Sequence, residues 1–176
     1  MLIGITGCAG SGKDTVADII TEKSNFVKRG FSYPLKDVCK IFGFTDEQLT
    51  DHTLKEKVDE YWNITPRKFM QITGTEMFRY KFRYDVWIKL MNMFVENNKH
   101  VVIPDVRFEN EAVYVKSKGI IIKVVRYNNI FQTKENKHLS ETPLKDKYID
   151  YVVENNSGYK ELKEKIFKIT ECEELI

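Results

Sequence analysis

Apolar positions along this chain fall into two alternating rhythms. Ile3, Gly4, Ile5 and Thr6 predict a short buried strand, and between residues 15 and 22 Val16, Ile19 and Ile20 share one helical face. Residues 26–32 predict a second strand, with Gly30 near its end. Leu35, Val38, Cys39 and Phe42 then stand at i, i+3, i+4 and i+7, the spacing of an amphipathic helix. Residues 43–65 are polar and charged with few apolar anchors, which predicts a surface lobe outside the core layers. Thr65-Pro66 predicts a helix start, with Thr as N-cap and Pro in the first turn. Residues 86–94 predict another helix. Residues 100–104 predict an apolar strand ending at Asp105, and residues 109–118 a helix stopped by Gly119. Residues 120–125 form a strongly apolar strand, residues 127–146 are polar and irregular, and residues 148–153 predict the last strand. Tyr159, Leu162, Ile166 and Ile169 mark a final helix.

Strands that are apolar throughout and alternate with helices predict a parallel sheet covered on both faces, an α/β fold. Ligands of such sheets bind beyond the carboxyl ends of the strands, so the residues following each strand carry the functional expectations. After the first strand comes Gly7-Cys8-Ala9-Gly10-Ser11-Gly12-Lys13-Asp14-Thr15, then a helix. Strand, glycine loop, lysine and helix make a phosphate-binding P-loop in its expected context. Glycines let successive backbone N–H groups turn toward one point, the helix adds its own donors and positive dipole end, and Lys13 supplies a point charge. The donor contacts are therefore expected from Gly7, Ala9, Gly10, Ser11, Gly12, Lys13, Asp14 and Thr15. Most such loops carry Ser or Thr after the lysine, where the hydroxyl ligates magnesium. Here Asp14 stands in that place: it either serves magnesium, directly or through water, or complements the helix N-terminus. Thr15 can still offer a hydroxyl to an inner phosphate.

Asp105 follows the third strand, where P-loop proteins hold the acid that orients magnesium and its waters; an Asp that starts a turn is the other reading. Arg107 either pairs a phosphate with its planar fork or bridges to Glu109 or Glu111. Arg67 and Lys68 lie in the first turn of a helix, where cations oppose the dipole, and an anion docked there would resolve the conflict. Gln71 and Glu76 follow on the same element as candidate contacts to a base or sugar, and Lys36 is a candidate for an acceptor phosphate. Tyr33 and Trp87 are either base platforms or core aromatics. Arg79, Lys81 and Arg83 alternate with Tyr80, Phe82 and Tyr84, either a nucleic-acid stripe or, better, a solvated face. His138, Ser140 and Glu141 lie in the long polar loop, a lid by its length.

Composition narrows the class. A chain of 176 residues suggests one domain, and 42% hydrophobic residues can build a real core. The formal net charge of +2 implies no strong nucleic-acid field, so no direct nucleic-acid partner is expected. The 3 cysteines, Cys8, Cys39 and Cys172, lack metal-ligand spacing and fit a reducing, cytoplasmic compartment. No apolar run reaches membrane-spanning length, so no membrane partner is expected, and the chain opens on a core strand, so no signal peptide is expected before it.

The motifs together resemble the deoxynucleoside monophosphate kinases of bacteriophages and large DNA viruses. The resemblance rests on the P-loop with Asp after its lysine and on four further segments in order. These are Pro34-Leu35-Lys36, Pro66-Arg67-Lys68-Phe69-Met70-Gln71 leading to Gly74-Thr75-Glu76, Asp105-Val106-Arg107-Phe108-Glu109-Asn110-Glu111, and His138-Leu139-Ser140-Glu141. It implies a P-loop kinase of three α/β/α layers with a parallel five-stranded sheet, spanning residues 1–176 as one domain, with an acceptor-binding helical lobe at 34–84 and a lid at 126–146. It implies transfer of the γ-phosphoryl of ATP to a deoxynucleoside 5′-monophosphate, with magnesium held by Asp14 and Asp105, and catalysis by Lys13, Arg67, Asp105 and Arg107. It assigns the acceptor to residues around Tyr33, Lys36, Arg67, Gln71, Glu76, Trp87, Arg107 and the lid residues His138, Ser140 and Glu141. By similarity to dephospho-coenzyme A kinases, Asn155 to Gly158 lie near the adenine, with Arg126 flanking the phosphates or the adenine. A homodimer and, for a viral source, the host cytoplasm are the family's expectations. The rivals are a kinase of another phosphorylated acceptor, since animal phosphomevalonate kinases share a Gly-Lys-Asp loop, and a nucleotide-binding module without transfer activity.

Overall fold

The computed structural model describes residues 1–127, 138 and 142–173. In chain order its helices and strands are β1 (Leu2–Thr6), α1 (Lys13–Lys23), β2 (Val27–Lys28), α2 (Tyr33–Ile41), α3 (Asp46–Thr50), α4 (Pro66–Gln71), α5 (Val86–Val95), β3 (Val101–Ile103), α6 (Glu109–Lys116), β4 (Gly119–Val125), β5 (Tyr151–Glu154) and α7 (Tyr159–Cys172). Two compact units result, Met1–Gly30 with Met91–Ile176, and Phe31–Leu90.

The first unit is built on a parallel sheet in the order β2-β3-β1-β4-β5. Ile3 lies level with Val102 and Ile120, and Gly4 with Ile103 and Ile121. Every residue of β1 is buried, as a strand covered on both faces must be. One face sends Ile3, Ile5, Ile122 and Val124 into a core completed by Val16, Ile19 and Ile20 of α1 and Leu162 and Ile166 of α7. On the other face Gly4 lets α6 lie close: a Cβ at Gly4 would stand 3.0 Å from Val115 and 2.9 Å from Val106. The outcome is the three-layer α/β/α arrangement with five parallel strands. The parallel sense brings the residues after β3, β1, β4 and β5, namely Asp105, the glycine loop, Arg126 and Asn155, to one end of the sheet.

Element boundaries differ from the sequence pattern where local chemistry overrides it. The second strand is only Val27–Lys28, because Ser32 is already the N-cap of α2 with Pro34 in its first turn. Residues 146–148 form a 3-10 turn, so the last strand starts at Tyr151. The helix expected over 109–118 ends at Lys116.

The second unit has more internal packing than its composition suggests. Within segment 43–65, where few apolar anchors are expected, Phe44 and Leu49 are buried. α3 there is closed by a reciprocal cap: Thr45 Oγ1 accepts from the Gln48 amide, and Gln48 Oε1 accepts from the Thr45 amide. Phe42, expected on the buried face of α2, is 42% exposed and stacks at 5.1 Å on Phe69 and 5.8 Å on Trp62. α4 does not stop at Gln71 but passes into a π-helical stretch, Ile72–Phe82, which its residue pattern did not foretell.

Truncating Ile122, fully buried on the interior strand β4, is expected to cost about 2–5 kcal/mol in Ile122→Ala. Val152→Ala, at a 61% exposed position of edge strand β5, should change stability by less than about 0.5 kcal/mol. Urea unfolding of the two variants checks the contrast.

Candidate active site

The glycine loop joins the buried end of β1 to the start of α1, so its backbone is anchored at both ends. Gly7 has φ 146° and lies against the Val124 carbonyl, where a Cβ has no room. Ser11 donates its amide to the Cys8 carbonyl at 3.2 Å, and Lys13 Nζ donates to the same oxygen at 2.7 Å. The Lys13 ammonium is thus folded over the loop it is expected to serve. Ser11 Oγ is buried and has no hydrogen-bond partner among the described residues. A buried hydroxyl left in that state is costly unless something completes it, which fits a loop shaped for an oxygen-rich ligand.

The loop after β5 braces this cradle. Asn155 donates its side-chain amide to the Ser11 carbonyl at 2.9 Å and its backbone amide to the Val125 carbonyl at 2.8 Å. Gly12 has φ 100°, and a Cβ there would collide with the Asn155 side chain. Asn156 accepts the Tyr127 amide at 3.0 Å, next to exposed Arg126. The resemblance puts Asn155 near the adenine; its side-chain amide sits on the glycine loop itself. Gly158, φ 96°, is the N-cap of α7.

The candidate metal ligands are carboxylates with different surroundings. Asp14 is exposed and pairs with Lys28 on β2 at 3.0 Å, and Lys28 also holds Asp18 at 2.9 Å. Burial pulls the Lys28 ammonium down, but the hydrogen bonds to Asp18 and Asp14 outweigh it and hold its pKa above the usual lysine range. Asp105 is half-buried in the turn after β3, and the next amide, Val106, donates to the Ile5 carbonyl at 3.1 Å. Among the described residues no cluster of three or more His, Cys, Asp or Glu could form a metal cage. Magnesium, which keeps most of its waters and takes one or two carboxylates plus phosphate oxygens, fits such a sparse donor set.

One residue has a role here beyond the salt bridge to Arg107 that its sequence position offers. Glu111 is buried, and its Oε2 accepts the backbone amides of Arg107 at 2.9 Å and Phe108 at 3.1 Å. It fixes the turn that carries Asp105 and Arg107. The available signal was its place three residues after Phe108, the spacing of a helix cap. Glu109 goes to Lys145 at 2.6 Å and to the Tyr148 hydroxyl at 3.1 Å, which hold its carboxyl below the usual range.

In the second unit Thr65 Oγ1 accepts the Lys68 amide at 3.1 Å and opens α4 as expected. Arg67 is paired with Glu56, and Lys68 Nζ stands 3.8 Å from Glu76. Gln71 is half-buried at the end of the helix. Lys36 lies over the Tyr33 ring at 5.5 Å. Trp87 is buried, donates its indole N–H to the Gly74 carbonyl at 3.0 Å and packs edge-on against Phe78, so it supports the Gly-Thr-Glu segment from the core. The basic-aromatic stripe is broken as a solvated face: Arg79 is buried and donates to the Tyr84 carbonyl at 3.4 Å, while Tyr80, Phe82 and Tyr84 are exposed. His138 is half-buried. Ser140 and Glu141 lie outside the described residues, as does most of the expected lid.

A family model described as deoxynucleotide monophosphate kinase matches residues 40–166. This chain belongs to that family. A putative deoxynucleotide monophosphate kinase of Acanthamoeba polyphaga mimivirus is 34% identical, covering 92% of this chain and 91% of the relative. The deoxynucleoside-5′-monophosphate kinase of Escherichia phage T5 is 23% identical, over 98% of this chain and 97% of the relative. Among solved structures, shikimate kinase from Aquifex aeolicus vf5 superposes with a TM-score of 0.52 at 17% identity over 99% of each chain, a likeness of fold. As a member of the family the chain is a phosphotransferase. No described helix is long and apolar enough to cross a membrane.

Cysteine reactivity tests the cradle of this kinase. Burial pushes the Cys39 thiol up to about 11, whereas Cys8 is exposed in the glycine loop. Iodoacetamide at mildly alkaline pH should label Cys8 and spare Cys39 in the folded protein, and saturating nucleotide should slow labelling of Cys8 roughly tenfold or more. Peptide mass mapping with and without nucleotide reads both outcomes.

Proposed function

We infer that this chain transfers the γ-phosphoryl group of ATP to a deoxynucleoside 5′-monophosphate, releasing ADP and the diphosphate. The observation that carries the reading is membership of the deoxynucleotide monophosphate kinase family over most of the chain, on a glycine loop built to take phosphate. The comparisons favour neither a phosphomevalonate-type kinase nor a module without activity.

The loop amides and Lys13 hold the donor phosphates, with Ser11 Oγ and Thr15 as further contacts, and Asn155 keeps the loop in its binding shape. Asp105 and Asp14 are the residues that would hold magnesium, which would supply positive charge against the charge developing on the transferring phosphoryl group. Asp14 would act there only as Lys28 yields it, or through water. Arg67 and Arg107 neutralise the acceptor phosphate, with Lys36 beside them in role, while Gln71 and Glu76 read the base or sugar. Two polyanions repel strongly, so these cations are needed for approach as well as for the transition state. No dedicated base is required, because the attacking phosphate oxygen is already ionised. Arg126, Gly158, Tyr33 and the lid residues His138, Ser140 and Glu141 complete the proposed contacts. Trp87 acts through the Gly74 carbonyl it holds. The same reading puts the enzyme's work in the cytoplasm, that of the host for a viral source, and a homodimer is the assembly for light scattering to test.

ADP release from Mg-ATP should require a deoxynucleoside monophosphate when the four are offered beside ribonucleotides and phosphomevalonate. Lys13→Ala should lower that rate by roughly 100-fold or more without unfolding the protein. Release with phosphomevalonate alone, or no acceptor-dependent release from folded, ATP-binding protein, would sink the reading.

A further inference from the structure

The Arg67–Glu56 pair is asymmetric. The Arg67 side chain is 17% exposed, whereas its partner's is 55% exposed. Glu56 comes from a separate piece of chain, the 3-10 turn Leu54–Glu56, eleven residues before the arginine. That turn is itself built by Asp51, whose Oδ1 accepts the amides of Thr53 at 2.9 Å and Leu54 at 2.8 Å. The Glu56 amide donates to the Thr53 carbonyl at 3.1 Å. An exposed carboxylate is thus held by its backbone against a largely covered arginine side chain in the first turn of α4. A cation in that turn opposes the helix dipole and gains from any anion beside it. Glu56 is one such anion in the ligand-free chain.

We propose that Glu56 is an internal stand-in for the acceptor phosphate, a specificity-determining residue that an incoming nucleotide must displace from Arg67. The proposal rests on the assignment of Arg67 to the acceptor phosphate. A phosphate monoester carries a charge of about −1.5 to −2 near neutral pH and three strong acceptor oxygens. A carboxylate carries one charge and two oxygens, so the phosphate wins the exchange while neutral nucleosides and singly charged anions do not. The exposed side of the pair is the carboxylate's, so the exchange needs no opening of the unit's core. Displacement scales the apparent affinity down to the fraction of molecules in which the pair is open, and leaves the chemical step untouched once the acceptor is bound.

Four proteins test it: the unaltered enzyme, Glu56→Gln, Arg67→Ala and the variant carrying both substitutions. The readouts are steady-state kinetics, equilibrium dialysis of deoxynucleoside monophosphate without ATP, and inhibition by sulfate. Glu56→Gln is expected to lower KM and Kd for the monophosphate roughly three- to tenfold, with kcat held and sulfate inhibition strengthened by a similar factor. Arg67→Ala should raise the monophosphate KM and abolish any effect of adding Glu56→Gln. If Arg67→Ala weakens acceptor binding but Glu56→Gln leaves it unchanged or weaker, the stand-in role is overturned and the assignment of Arg67 survives. If Arg67→Ala leaves acceptor binding unchanged, the assignment fails and the stand-in role falls with it.

Discussion

Burial of β1 on both faces is the constraint from which the rest of the phosphate site follows. A strand with neighbours on either side and helices above and below has no freedom to shift, and its carboxyl end delivers the glycine loop at a fixed height. The loop cannot hold its own shape, since glycines at positive φ gain nothing from side-chain packing. Beyond the two bonds that converge on the Cys8 carbonyl, its shape is supplied from outside, by the Val124 carbonyl against Gly7 and by Asn155 against Ser11 and Gly12. The shape of the loop therefore depends on the register of β4 and β5 as much as on the loop's own residues.

Carboxylates do most of the organising around the candidate contacts, and each does so differently. Glu111 is buried and spent on two backbone amides, which makes it a support for Arg107. Glu109 is taken by Lys145 and Tyr148. Asp14 is tied to Lys28, so the residue standing in place of the usual hydroxyl is charge-balanced within the protein. Glu56 covers Arg67 from an exposed turn. Arg67, a cation assigned to an anionic substrate, is thus already engaged in the free chain.

In the second unit the unexpected element is the π-helical stretch that carries Gly74-Thr75-Glu76. Such stretches displace side chains from helical register and are found at functional sites. The indole of Trp87 on the Gly74 carbonyl and Leu35 against the Gly74 Cα hold it, so an aromatic that sequence left between core and base platform serves the backbone of the proposed acceptor contacts.

The chain's own pattern determined the fold class, the strand count, the phosphate loop and the helix start at Thr65-Pro66, because these depend on local spacing: apolar runs, glycines beside a lysine, a cap before a proline. It also drew attention to Asp105, Arg107, Asn155 and Arg67, since each follows a strand or opens a helix. Partners were another matter. That Asn155 grips Ser11, 144 positions away, that Glu111 turns back to cap Arg107, that Arg79 is buried and that Lys28 claims Asp14 were decided only by tertiary structure. A hydrogen bond or ion pair between distant residues leaves no periodic trace along a sequence, whereas the burial that brings them together does.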